Sequence, residues 1–300
     1  MSLPRLQPLT RGRVATLGTA GAAWHVGLPR RLDELCERWG LTLGPALPGG
    51  SASYVVRATR ADGSPCVLKV LVPGVPAGAE VLGAADGIGY VRLLAHDPER
   101  DALLLEELGV SMERRSLEPT AALEALAATL LLAWRVPLAA VASDEVPKAV
   151  SLHEMVVHLS SELGSPCPPS VVQRALTYAE RRAAASRAEV VVHGDPHPSN
   201  ALQAPGSPTG WRFVDPEGFR CDPAYDLGVV LRDWTSRLTG PDPRAVLESY
   251  CATLAAASGV EEQAIWEWGF LERVSTGLFV MSIGSPALGR RFLDSAERLL

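Results

Sequence analysis

Three hundred residues, 47% of them apolar, are enough for one large domain or two packed lobes with a full core. The formal charge of −6 comes without a basic stripe, which sets nucleic acid aside as a partner. Five scattered cysteines, odd in number and never in a CxxC, speak against a disulfide framework or structural zinc and for a reducing compartment.

Taken in chain order, residues 14–23 follow Arg11 and Arg13 as the apolar part of a secretory leader would, but their Gly, Thr and Ala are too weakly apolar for that role. Leu32, Leu35, Cys36 and Trp39 fall at helical spacing, and Gly40 ends the pattern. Residues 54–59 and 66–72 are β-rich runs on either side of Ala61-Asp62-Gly63-Ser64, a hairpin whose second strand carries Lys69. A Gly- and Pro-rich stretch, 73–78, leads to a short helix around Glu80, and residues 90–94 and 102–105 read as two more strands. From Glu118 the periodicity turns helical, at 119–134, 149–163, 169–187, 223–238, 243–257 and 261–281. Two short strands, 189–193 and 211–214, interrupt these helices and are joined by a Pro-rich loop. The most apolar segment, 126–141, is broken by Arg135 and Pro137 and is too short to span a bilayer. The expectation is a cytoplasmic protein with no membrane partner.

Chemistry concentrates in Val190-Val191-Val192-His193-Gly194-Asp195-Pro196-His197-Pro198-Ser199-Asn200. His, Asp two residues on and Asn five beyond that reproduce the spacing of the kinase loop H-R-D-x-x-x-x-N, with Gly in the Arg position. Phosphoryl transfer needs a carboxylate to orient the attacking hydroxyl, a role for Asp195, and a metal ligand on the same rigid loop, a role for Asn200. The next strand ends in Asp215-Pro216-Glu217, and Asp215 is the second expected magnesium ligand. Alternation also lets His193, Asp195 and His197 mimic a metallohydrolase cluster, but Asn200, Asp215 and an upstream strand lysine favour kinase chemistry. His197 is assigned to loop structure. Lys69, in Cys66-Val67-Leu68-Lys69-Val70, matches a strand lysine that contacts nucleotide phosphates. Glu80 is its expected partner, with Glu106 and Glu107 as competitors. Gly49, Gly50, Ser51 and Ser53 would cover the phosphates, and backbone groups of Glu106 and Leu108 would meet the base. No Walker A motif is present. Asp222 and Asp226 are expected as structural support, Asp226 either complementing a helix dipole or bracing the loop backbone.

These residues resemble the aminoglycoside phosphotransferase family over roughly residues 30–285. Within it, the Trp39 start, Leu103-Leu104-Leu105-Glu106 and Asp215-Pro216-Glu217-Gly218 look most like the streptomycin 6-phosphotransferase and hydroxyurea phosphotransferase branch. The resemblance implies an α+β, bilobal, protein-kinase-like fold: a small N-terminal antiparallel β lobe, 1–108, that binds nucleotide, and a larger, mainly helical lobe, 109–300, for catalysis and substrate. It implies ATP and Mg2+ as cofactors, and a streptomycin-type aminoglycoside phosphorylated on a hydroxyl to confer resistance. Its alternative is another small alcohol: a cationic peptide antibiotic, hydroxyurea or a metabolite. Guanidinium groups on such a substrate call for carboxylates, and Glu217, Asp233 and Glu267 are the candidates. Glu267 lies on a stripe with Leu271, Val274, Leu278 and Met281, where it could instead answer the helix dipole. A monomer or weak dimer is expected.

Overall fold

The computed structural model describes residues 3–47, 50, 52–143, 146–185, 188–234, 238 and 240–300. The chain divides into two compact units, Met1–Gly109 and Val110–Leu300.

The first unit opens with α1 (Pro8–Thr16) and α2 (Gly18–Trp39), which stops at Gly40 in the left-handed conformation. Strands β1 (Leu41–Ala46), β2 (Ser53–Arg60) and β3 (Pro65–Leu71) follow, then α3 (Ala79–Ala85), β4 (Leu93–Asp97) and β5 (Ala102–Glu106). The sheet is antiparallel in the order β1-β2-β3-β5-β4. Alternation sorts its faces. Val56, Leu68, Val70 and Leu104 pack with Trp24, Leu28, Leu32 and Leu35 of α2 in one core. The Trp24 indole donates to Leu71 O at 2.7 Å. Lys69, one residue out of phase, points to the other sheet face and is 6% exposed.

Two expectations are corrected here, and one strand had none. The strand expected over 90–94 is shifted: β4 starts at Leu93 and runs through the more polar His96 and Asp97, while Tyr90 and Val91 are buried ahead of it. Their apolarity reported burial rather than pairing. The helix expected at 30–39 begins twelve residues earlier, and α1 precedes it. β1 had no signal, because it is an exposed edge strand containing Gly44 and Pro45.

The second unit holds α4 (Pro119–Ala133), α5 (Lys148–Glu162) and α6 (Pro169–Ala184) before its short strands. These are β6 (Val190–Val192), β7 (Ala201–Gln203), β8 (Trp211–Phe213) and β9 (Phe219–Cys221). The two strands expected from sequence do not join each other: β6 pairs with β9, and β7 with β8. Helices α7 (Ala224–Arg232), α8 (Pro243–Ser258), α9 (Glu262–Ser282) and α10 (Pro286–Glu297) complete it. The helix expected over 223–238 ends at Arg232. α9 runs through the middle, with Trp268, Leu271, Val274 and Leu278 buried. It crosses α7 closely because both carry glycine there: a Cβ on Gly228 would lie 2.5 Å from the Trp268 Cβ. Among the described residues no helix is long and apolar enough to cross a membrane.

Candidate active site

The loop after β6 is held by its own polar atoms and by α7. His193 is fully buried; its Nδ1 accepts from the Asp195 N–H at 3.1 Å, and its Nε2 lies 2.9 Å from Val214 O. A neutral ring protonated on Nε2 satisfies both contacts. Burial, outweighing the nearby charge of Asp195, pulls its pKa down to about 4. Gly194 follows with φ 93°, and a Cβ there would meet the Glu217 Cβ at 2.8 Å, so glycine is required where the kinase loop has Arg. The first turn of α7 supplies Asp226, whose two oxygens accept the backbone N–H groups of His193 (2.8 Å) and Gly194 (2.9 Å). The Trp134 indole donates to the same carboxylate at 2.8 Å. Asp226 thus braces the loop backbone, and complete burial, outweighing these bonds, lifts its pKa to about 6.

Asp195 and Asn200 are brought together within the loop: the Asn200 carboxamide nitrogen donates to Asp195 O at 3.0 Å. The Val214 N–H donates to Asn200 O at 2.9 Å, so Asn200 and Asp215 stand at the same end of the β7–β8 hairpin. Asp215 has φ 60°, an uncommon conformation for a non-glycine residue. One amide oxygen and one carboxylate are the hard oxygen donors that magnesium takes, leaving room for phosphate and water. Among the described residues no three His, Cys, Asp or Glu side chains gather as a metal site, so the metallohydrolase cluster of His193, Asp195 and His197 is not formed.

The Asp195 carboxylate is held at both oxygens. His197 Nε2 lies 3.3 Å from Oδ2, and Arg232, the last residue of α7, donates to Oδ1 at 2.7 Å. Burial pushes the Asp195 pKa up, but His197 and Arg232 outweigh it and hold the carboxyl well below the usual range. Reciprocally, burial lowers His197, yet its hydrogen bond to Asp195 leaves it raised. Beside Asp195 opens a pocket of about 760 Å³ lined by five carboxylates (Glu113, Asp195, Glu217, Asp233, Glu272) against two cations, Lys148 and Arg232. Lys148 sits over the Phe219 and Tyr225 rings, and one wall is apolar, with Phe279 and Leu288.

Glu217 and Asp233 therefore line this pocket; Glu267 does not. It is 1% exposed and held by Arg182 at 2.7 Å and Arg181 at 3.1 Å, an ion pair between α6 and α9 that keeps its carboxylate from a substrate. Glu80 is exposed in the first turn of α3 and makes no ion pair among the described residues, so its expected contact with Lys69 is not formed. Of the phosphate loop, Gly49 and Ser51 lie outside the described residues, while Gly50 and Ser53 lend their carbonyls to the Thr10 hydroxyl at 2.8 and 3.0 Å. The Glu106 N–H donates to Arg92 O at 3.0 Å, and Leu108 follows, half-buried. Sequence reasoning missed Arg232, Glu272, Glu113 and Lys148. A charged pair such as Glu272-Arg273 inside an apolar helix was the available signal.

The two units carry the fold of protein-kinase-like phosphotransferases. An aminoglycoside phosphotransferase from Streptomyces rimosus, solved with ADP and streptomycin, superposes with a TM-score of 0.52 at 21% identity, covering 82% of this chain and 97% of that one. Residues 38–284 match the family described as aminoglycoside/hydroxyurea antibiotic resistance kinase, and the chain belongs to it. A streptomycin 6-kinase from Streptomyces glaucescens is 29% identical, spanning 98% of this chain and 96% of its own length. A hydroxyurea phosphotransferase from Kitasatospora aureofaciens is 35% identical over 94% of this chain and 82% of its own. The protein is a small-molecule kinase with a hydroxyl acceptor.

Proposed function

We propose that this kinase uses ATP to phosphorylate a hydroxyl of a streptomycin-type aminoglycoside and thereby confers resistance. The observation that carries this reading is the acidic pocket beside Asp195, where five carboxylates face Lys148, Arg232 and His197. Guanidinium groups are matched by carboxylates, two oxygens to two N–H donors, and Glu217 is the first candidate for them, with Asp233 and Glu272 lining the pocket but already paired to Arg232. A volume of about 760 Å³ suits a drug-sized molecule. Hydroxyurea, the substrate named for one relative, would leave most of it empty.

Asp195 orients the acceptor hydroxyl and takes its proton. A carboxylate held ionised by Arg232 and His197 is a weak base, which suits a loose transition state in which the hydroxyl keeps its proton until late. Asn200 and Asp215 would hold magnesium, which supplies charge neutralisation for the triphosphate when bound. Lys69 contributes a phosphate contact from the first unit, and Glu106 and Leu108 the backbone groups for the base.

The test is a mass-shift screen with ATP and magnesium against aminoglycosides, cationic peptide antibiotics, hydroxyurea and amino alcohols. Streptomycin is expected to gain one phosphate; if no aminoglycoside does, the reading is lost. Asp195→Ala is expected to lower kcat by roughly 10²–10⁴ with ATP affinity unchanged, and wild-type turnover in that variant would remove Asp195 from its role.

A further inference from the structure

Arg232, the last residue of α7, reaches the Asp195 carboxylate, and its position is over-determined. Its guanidinium donates to Asp195 Oδ1 at 2.7 Å and to Asp233 Oδ1 at 3.0 Å, and stands 3.4 Å from Glu272 Oε2. It is 14% exposed and Glu272 5%, so the group is walled in. Three carboxylates around one guanidinium leave net negative charge in the pocket, so this is not a neutralised ion pair that merely closes a gap. The carboxylate end of an Asp has a soft, two-fold torsion. With Arg232 on one oxygen and His197 on the other, that torsion is set, while each oxygen keeps a second lone pair for an incoming hydroxyl. The same helix fixes the loop backbone through Asp226 at its first turn. The two ends of α7 thus grip the start of the loop, Asp226 its backbone and Arg232 the Asp195 side chain.

We propose that Arg232 is a positioning residue for phosphoryl transfer: it fixes the plane of the Asp195 carboxylate so that one lone pair faces the acceptor oxygen. The proposal rests on the reading of Asp195 as the base and does not depend on which alcohol is phosphorylated. It accounts for an arginine where a lysine would hold one oxygen but not span Asp195, Asp233 and Glu272 together.

Three variants test it in an ADP-release assay, run with streptomycin and again without antibiotic so that water is the acceptor. Arg232→Met keeps bulk without charge and is expected to lower kcat roughly 10²-fold in both assays, the scale of a misoriented base, with ATP affinity by calorimetry within about threefold. Arg232→Lys is expected to recover part of the loss. Arg232→Ala leaves a guanidinium-sized gap facing three carboxylates, and added methylguanidinium is expected to restore turnover in it and not in Arg232→Met. Turnover of Arg232→Met within about twofold of wild type would overturn the proposal, as would parallel loss of kcat and ATP affinity in all three variants, the mark of a purely structural tie. A wild type that hydrolyses ATP but leaves streptomycin unmodified would sink the antibiotic reading alone, and the water-acceptor assay would still decide on Arg232.

Discussion

His193 and Asp226 sit side by side, both fully buried, and their titrations pull stability in opposite directions. His193 has a folded pKa of about 4 against an ordinary 6.5, so the folded chain binds fewer protons than the unfolded chain between those values. Its contribution is complete above pH 6.5 and is lost as the pH falls toward 4, by up to about 3 kcal/mol. Asp226 is raised to about 6 from 3.8, so the folded chain binds more protons in that window and its contribution grows as the pH falls. In the wild type the two largely offset, and the melting temperature is expected to change little between pH 6 and 4 on their account. Asp226→Asn removes one titration and leaves the other. The variant is expected to be less stable throughout, because an amide cannot accept from both the His193 and Gly194 N–H groups, and to lose further stability steeply on acidification. Parallel melting curves against pH for variant and wild type would show that these two groups do not set the acid response.

At the scale of elements, the N-terminal helices do more than cover the sheet. Thr10 of α1 is fully buried, and its hydroxyl reaches Gly50 O and Ser53 O, while Gln7 donates to Leu47 O at 2.5 Å, so one helix ties down both flanks of the loop proposed to cover phosphates. Thr10→Val keeps the shape and removes the hydroxyl, taking a donor from the exposed Gly50 and the buried Ser53 carbonyl. It is expected to raise the KM for ATP several-fold with the KM for the antibiotic unchanged; equal effects on both would show that α1 acts on overall stability instead. α1 and the first half of α2 were hidden in the sequence because Gly12, Gly18, Gly21 and Gly27 break the apolar periodicity. Gly21 is there for contact: a Cβ at that position would fall 2.0 Å from Val14 O, so the residue that spoils the helical signal is the one that lets α1 and α2 meet. Edge strand β1 was silent for the opposite reason, having almost no buried face to pattern. The hairpin β2–β3 and the amphipathic helices of the second unit were legible because each writes its burial at period 2 or 3.6 over many residues.

Across the whole molecule the same distinction governs the site. Asp195 and Asn200 lie five residues apart on one loop, and local spacing was enough to read them together. Arg232, Glu272, Lys148 and Glu113 reach the pocket from separate elements, and no local pattern could bring them to Asp195. Their convergence makes that region strongly acidic, and this dictates how nucleotide must enter. A triphosphate arriving near Asp195, Asp215 and Asp233 meets like charge, which a cation on Asn200 and Asp215 would relieve. ATP with magnesium is therefore expected to raise the melting temperature by several degrees, since a ligand at about a hundred times its Kd adds about 2.7 kcal/mol and each kcal/mol is worth roughly 2–4 °C in a chain of this size. ATP with excess EDTA is expected to give no shift. Asp215→Ala is expected to behave with magnesium as the wild type does with EDTA, while Asp195→Ala, which lacks only the base, keeps the full shift. Equal shifts with and without magnesium, or an undiminished shift in Asp215→Ala, would place the metal elsewhere and leave Asp215 as a loop residue.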